Sequence, residues 1–352
     1  MPIAFYLKRK IMKVLVTGGC GYIGSHTIVD LLDNGFEVVS VDNLVNSSAD
    51  ALDSVHAITG TRVQNYQVDL CDLQATRQIF KDHPDINGII HFAALKFVGE
   101  SVEQPLRYFN NNINSLLNVL TCLEQYDVEH FIFSSSCSVY GNTDALPVTE
   151  ETPLQEAESP YGRTKQIGEQ IIRDFAKKQQ SASFVALRYF NPSGAHPSAL
   201  LGESPLHAAS NLVPVITETA IGKREKMMVF GDDYNTRDGS CVRDYIHVMD
   251  LANAHTKSLQ FLIDKKNDSN YTVFNLGIGE GVSVLEAVNA FIKVTGQSLN
   301  YEVGPRRPGD VVAIYANLDK AAKSLGWTPK YGIDDIMKTA WAWEQKRTVE
   351  AN

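Results

Sequence analysis

Short apolar runs recur along the first half of the chain, separated by stretches whose apolar positions fall three and four residues apart. The runs at 14–17, 37–41, 63–68, 88–92, 130–134 and 184–188 show little polar alternation. That texture suits strands of a sheet buried on both faces. The intervening stretches, beginning with 23–34 and its stop at Gly35, read as helices. Strands spaced by helices of this length predict βαβ units and an α/β fold built on a doubly wound parallel sheet.

After about Asn191 the pattern loosens. Pro192, Pro197, Pro205 and Pro214 fall in a loop-rich stretch, where a smaller region is expected to begin. A helix over 245–263 and a strand over 271–276 imply that the chain crosses the boundary more than once. The expected division is a tail at 1–11, a Rossmann-type domain at 12–190 and a smaller α+β domain at 191–352. The apolar stretch within the tail is too short for a signal-peptide core, and Lys8, Arg9 and Lys10 follow it instead of preceding it.

Composition narrows the function. The 352 residues, 44% hydrophobic, can bury a sizeable core. A net charge of -9 without a long basic run argues against nucleic-acid binding, which depends on neutralising phosphates. No apolar stretch is long enough to span a membrane. Cys20, Cys71, Cys122, Cys137 and Cys241 are scattered and include no CxxC pair. Neither a disulfide framework nor structural zinc is expected, and the pattern fits a reducing cytoplasm. His91, His130, His196, His207, His247 and His255 show no ligand spacing, so no metal is expected.

The chemistry starts at Gly18, Gly21 and Gly24, between the first strand and the first helix. Glycines there let the backbone approach a pyrophosphate, and the helix N-terminus, with Tyr22 and Ile23, faces the phosphates. Such a turn arises by chance elsewhere, but here Asp42 and Asn43 end the second strand, where a carboxylate binds the two adenosine-ribose hydroxyls. Asp42 would repel a 2′-phosphate, and residues 43–48 contain no Arg or Lys to compensate, so NAD is expected over NADP. A second cluster, Gly277, Gly279 and Gly281, is read as structural, because Ser283 and Glu286 form a capping box directly after it.

Tyr161 and Lys165 stand four apart on a helix expected to run to about 177, which puts them on one face. A phenol titrates near pH 10, and a neighbouring ammonium is expected to lower that toward the range of a general base. Ser136 follows the fifth strand, 25 residues before Tyr161, at the sheet's carboxyl end where such folds bind ligands.

The glycine spacing and the Tyr-x-x-x-Lys pair resemble the extended short-chain dehydrogenase/reductase family. The segments 14–26, 41–44, 91–101, 187–191, 242–248 and 306–310 resemble its sugar-nucleotide epimerases, with the likeness running from Met12 to about residue 345. That resemblance implies further roles. Asp69 and Leu70 would hold the adenine, Phe92, Ala93, Ala94 and Lys96 would line the cofactor, Asn111 would touch its phosphates, and Phe190 would flank the nicotinamide. Asn191, Asn211, Leu212, Val229, Phe230, Arg243, Arg307 and Asp310 would grip UDP.

The implied activity is reversible epimerisation of UDP-glucose and UDP-galactose at C4 through a 4-keto sugar, as in galactose metabolism. Tyr161 would be the base, with Ser136 on O4 and Lys165 on the nicotinamide ribose, and all three would also line the cofactor. A 4,6-dehydratase needs a carboxylate pair beside the catalytic hydroxyl, but Cys137 and Ser138 follow Ser136. Asp42 argues against an NADP-dependent 4-reductase, and the intact Ser136, Tyr161 and Lys165 set argues against a mere NAD sensor. The family also implies a homodimer through helices near 104–126 and 160–178. Ile314 falls where relatives gate the C2 substituent. A stiff β-branched residue there is expected to disfavour UDP-N-acetylhexosamines, whose use is the alternative reading.

Overall fold

The structure, a computed structural model, describes residues 12–206, 208–307 and 311–351. The tail expected at 1–11, His207 and Asp310 lie outside the described residues.

Six strands and six helices make up the first half, alternating except for two consecutive helices before the fifth strand. The strands are β1 (Lys13–Thr17), β2 (Glu37–Val41), β3 (Gln64–Tyr66), β4 (Ile86–His91), β5 (His130–Ser136) and β6 (Ser183–Tyr189). The helices are α1 (Tyr22–Asp33), α2 (Asp50–Thr59), α3 (Leu73–Asp82), α4 (Val98–Glu103), α5 (Pro105–Gln125) and α6 (Pro160–Lys178). The second half adds β7 (Asn191–Ser193), α7 (Leu212–Ala220), β8 (Met227–Phe230), β9 (Val242–Arg243), β10 (Tyr245–His247), α8 (Val248–Ile263) and β11 (Tyr271–Leu276). It ends with β12 (Val282–Ser283), α9 (Val284–Thr295), β13 (Tyr301–Gly304), β14 (Ala313–Ile314), α10 (Asp319–Leu325) and α11 (Ile333–Ala351).

The main sheet has the order β11-β6-β5-β4-β1-β2-β3, and every pairing in it is parallel. Period-two alternation sends β1 to two cores. Val14 and Val16 pack with Ile28 and Val29 of α1 and Leu251 of α8, while Leu15 packs with Leu116 of α5 and Ile172 of α6. Both faces are covered, which explains strands without polar alternation. The strand order reverses between β1 and β4, and a crevice opens there at the carboxyl ends of the strands.

A single division at residue 191 is too simple. β11 pairs with β6 in the main sheet, and α8 lies against α1, so this return segment belongs with the first half. The remaining strands form small two- and three-stranded sheets. Together with α7, α9 and α11 they enclose a separate core around Val213, Ile216, Phe291 and Met337.

Candidate active site

The residues singled out around the cofactor converge on the carboxyl edge of the main sheet. Gly18 adopts a left-handed φ of 69°, and a Cβ on it would meet the Ala93 backbone nitrogen at 3.0 Å. A Cβ on Gly24 would meet the Gly18 carbonyl at 2.2 Å, so α1 rests directly on the turn. Gly21 caps α1 without any side chain on the first amides, and Tyr22 and Ile23 begin the helix. Asp42 is held at the end of β2 by three donors: the Cys20 amide at 3.1 Å, the Leu44 amide at 2.9 Å and the Ser47 hydroxyl at 2.8 Å. Asn43 accepts from the Val45 amide, shaping the same loop. A glycine cradle that a Cβ would fill, an uncapped helix start and a fixed carboxylate fit a dinucleotide.

Other expected cofactor residues occupy neighbouring loops. Asp69 and Leu70 follow β3, and the Asp69 carboxylate accepts from the Cys71 amide at 2.9 Å. Phe92, Ala93, Ala94 and Lys96 follow β4, where the Ala93 amide donates to the Thr17 hydroxyl at 3.1 Å. Asn111 lies on α5. Its neighbour Asn112, which the sequence did not mark, ties the Leu95 backbone to Thr164 of α6. Phe190 follows β6 and is buried.

Ser136 is the last residue of β5, a little further along the strand than expected, and its hydroxyl, which accepts from the Ser138 amide at 3.2 Å, lies near the Tyr161 phenol. Ser159 caps α6 and Pro160 opens it, which brings Tyr161 into the first turn facing Ser136. Lys165 is one turn on, buried. Its ammonium donates to the Ser134 carbonyl at 2.6 Å and sits 5.8 Å from the centre of the Tyr161 ring. Burial lowers the Lys165 pKa to about 7, against the pull of Glu169.

The expectation that Lys165 draws the phenol down is corrected by the structure. Tyr161 is part-exposed as a residue, yet burial of its hydroxyl, and then Tyr189, push its pKa well above the ordinary value, with the nearby Ser136 hydroxyl opposing them. Desolvation outweighs an ammonium that is itself desolvated.

The residues expected to hold UDP lie on the second-half elements. Asn191 opens β7, and Asn211 and Leu212 start α7. Val229 and Phe230 end β8, and Arg243 ends β9. The Arg307 guanidinium lies 5.6 Å from the Phe230 ring. Arg243 donates to the Val311 carbonyl at 2.6 Å and pairs in register with Ile314, which packs with Phe190, Val139 and Tyr140.

Asp244 organises this region. Its buried carboxylate accepts from the Ile278 amide at 2.7 Å, the Gly279 amide at 3.2 Å and the Ala316 amide at 3.1 Å. Burial nonetheless raises its pKa to about 6. The second glycine cluster serves this carboxylate, since a Cβ on Gly277 would lie 2.2 Å from it, and the Ser283–Glu286 capping box follows as expected.

A cleft of about 590 Å³ opens beside the glycine turn, walled by Gly21, Tyr22, Ser47, Lys96, Glu203 and Asn211. Glu203 spans it, 3.7 Å from the Lys96 ammonium and 2.8 Å from the Asn211 amide that donates to it. Tyr161 and Ser136 stand outside its walls. No described helix is long and apolar enough to cross a membrane.

Comparison with known proteins agrees with this geometry. A family model for GDP-mannose 4,6 dehydratase matches residues 15–340. A UDP-glucose 4-epimerase of Bacillus subtilis is 47% identical over 333 residues, covering 95% of this chain and 97% of the relative. The solved UDP-glucose 4-epimerase of Stenotrophomonas maltophila, with bound NAD and formylated UDP-arabinopyranose, superposes with a TM-score of 0.93 at 44% identity over 96% of this chain and 99% of its own. That of Bifidobacterium longum, in complex with NAD+ and UDP, gives 0.91 at 45% identity, with the same coverage. The chain belongs to the extended short-chain dehydrogenase/reductase family of sugar-nucleotide enzymes, and within it groups with the UDP-glucose 4-epimerases.

Proposed function

We propose that this protein is an NAD-dependent enzyme that interconverts UDP-glucose and UDP-galactose by inverting C4 of the hexose. The observation that carries this is the meeting of Ser136, the last residue of β5, with Tyr161 in the first turn of α6, with Lys165 buried one turn away and bonded to the Ser134 carbonyl. Gly18, Gly21, Gly24, Asp42 and Lys165 would hold NAD, which would supply a reversible hydride acceptor for C4 and a positive charge that eases ionisation of the phenol. Tyr161 takes the proton of the 4′-hydroxyl and returns it, and Ser136 holds O4 and relays that proton. Arg243 and Arg307 suit a diphosphate through bidentate hydrogen bonds. Gripping UDP there leaves the hexose free to turn and present either face of C4. The test is purified protein with UDP-galactose and no added NAD. Formation of UDP-glucose supports the reading, and none formed even with NAD added removes it.

The clamped Asp42 carboxylate makes cofactor choice measurable. Nucleotide extracted from the purified protein is expected to be NAD, not NADP. Asp42→Ala should weaken retention about tenfold, the scale of lost hydrogen bonds to a charged acceptor. Recovery of mostly NADP from the wild type would overturn this assignment.

Ile314 is expected to limit the sugar's C2 substituent. It is buried against Phe190 and in register with Arg243, between the residues assigned to the nicotinamide and to UDP. A single steric contact discriminates by roughly 1–3 kcal/mol. Wild type should therefore prefer UDP-galactose over UDP-N-acetylgalactosamine in kcat/KM, and Ile314→Ala should shift that preference by at least about tenfold. Equal efficiency on the two sugars in the wild type would sink the idea, as would a preference unmoved in the variant.

A homodimer through α5 and α6 is part of the same reading. Leu106 and Leu117 of α5 are exposed and lie eleven residues apart, just over three turns, on one face. Val98 and Val102 of α4 extend the apolar surface. The five free thiols suit a reducing cytoplasm.

A further inference from the structure

β5 ends in three consecutive serines, and three residues on successive turns of α6 lie against them. Tyr161, Lys165 and Glu169 share a face of α6. Ser136 stands near the Tyr161 phenol, and Ser134 receives the Lys165 ammonium on its carbonyl. Ser135 donates its hydroxyl to the Glu169 carboxylate at 2.6 Å. Ser135 is also in register with Arg188 on β6, so their side chains leave the sheet on the same face. Arg188 grips Glu169 from there with two parallel bonds, of 2.9 Å to one oxygen and 2.7 Å to the other.

The grip continues past Ser136. Arg188 donates to the Tyr140 hydroxyl at 3.1 Å and lies 5.0 Å from the centre of its ring. Tyr140 ends the short 3-10 turn Cys137–Tyr140 and donates in turn to Asn275 of β11 at 2.6 Å. The catalytic serine is therefore anchored one residue before, through Ser135, and four residues after, through Tyr140, to the same ion pair. Both charges are buried, and a buried ion pair is costly to desolvate compared with well-packed apolar residues. Core packing alone gives no reason for it here. Geometry does.

We propose that Glu169, held by Ser135 and Arg188, is a positioning residue that sets the height of α6 over the end of β5 and thereby the contact between Tyr161 and Ser136. It touches neither substrate nor cofactor. The kinetic part of this inference rests on the epimerase reading, and the positional part does not.

The experiment compares Ser135→Ala, Glu169→Gln and the double variant with wild type, as purified with bound cofactor. Ser135→Ala is the mild change and keeps the ion pair; if Glu169→Gln does not fold, Ser135→Ala alone decides. Each folded variant is expected to keep its bound NAD and a KM for UDP-galactose within about twofold, while kcat falls roughly 10- to 100-fold, as small misplacements of reacting groups do. The double variant should be no slower than the slower single, since both act through one link. Wild-type kcat in folded Ser135→Ala overturns the proposal, as does a loss confined to KM or bound NAD. Amide exchange read by mass spectrometry gives an answer independent of turnover. Exchange at 134–140 should quicken in Ser135→Ala while β1 and β4 stay protected, and unchanged exchange overturns the clamp. A wild type that fails to interconvert the sugars removes the epimerase reading, and the exchange result then decides the positioning.

Discussion

Tyr161→Phe should lose about a thousandfold in kcat while keeping its NAD, because it removes the hydroxyl that handles the substrate proton and little else. General acid–base groups contribute roughly 10²–10⁴-fold. The ring remains, and the fold does not depend on the hydroxyl, since α6 is held separately by Ser159, Lys165 and Glu169. KM for UDP-galactose should change little, as the grip on UDP is assigned to other elements. Lys165 is not interchangeable with Tyr161 in this role. Its ammonium is buried and already committed to the Ser134 carbonyl at 2.6 Å. Turnover near wild type in Tyr161→Phe would take the phenol out of the mechanism. Loss of bound NAD together with activity would instead make Tyr161 a cofactor-binding residue.

What could be read from the sequence was local. The strand, turn and helix around Gly18, Gly21 and Gly24 is contiguous, and so is the i, i+4 pair of Tyr161 and Lys165. Ser136 was reachable because it ends an apolar run at a telling distance from Tyr161. The apolar run at 63–68 overstates β3. Only Gln64–Tyr66 pair with β2, because β3 is the edge of the sheet with a single neighbour. Residues whose partners lie far along the chain carried no signal. Asp244 draws amides from 278, 279 and 316, and Glu169 meets Arg188 only through the register of β5 with β6. Glu203 lies in a loop and becomes notable only when Lys96 and Asn211 stand on either side of it. The Tyr161 pKa failed for a related reason. Spacing says that an ammonium is near, but not how much water is excluded from both groups.

Two alanines in one turn should separate folding from cofactor binding. Gly24→Ala puts a methyl 2.2 Å from the Gly18 carbonyl oxygen and 3.0 Å from the Gly19 Cα, both backbone atoms that cannot swing aside. α1 would have to lift from β1, yet its buried Ile28, Val29 and Leu31 are packed into the core with Val14 and Val16. Overpacking of this kind costs about 1–3 kcal/mol, so the cofactor-stripped protein should melt several degrees lower, with bound NAD lost as well. Gly21→Ala differs. Its nearest non-bonded neighbour is the same Gly18 oxygen at 3.1 Å, and its φ of -73° suits alanine. The stripped Gly21→Ala protein should therefore melt within about 2 °C of wild type, since losing a glycine N-cap costs on the order of a kcal/mol at most. Its new methyl faces the cleft beside the helix start, where the pyrophosphate is assigned, so nucleotide retention should fall sharply. Calorimetry of the stripped proteins and the 260/280 nm absorbance ratio of the purified ones read the two effects separately. Full NAD retention in Gly21→Ala would mean that the pyrophosphate does not pass over this turn. An unshifted melting point in Gly24→Ala would mean that α1 does not rest on the turn as closely as the geometry requires.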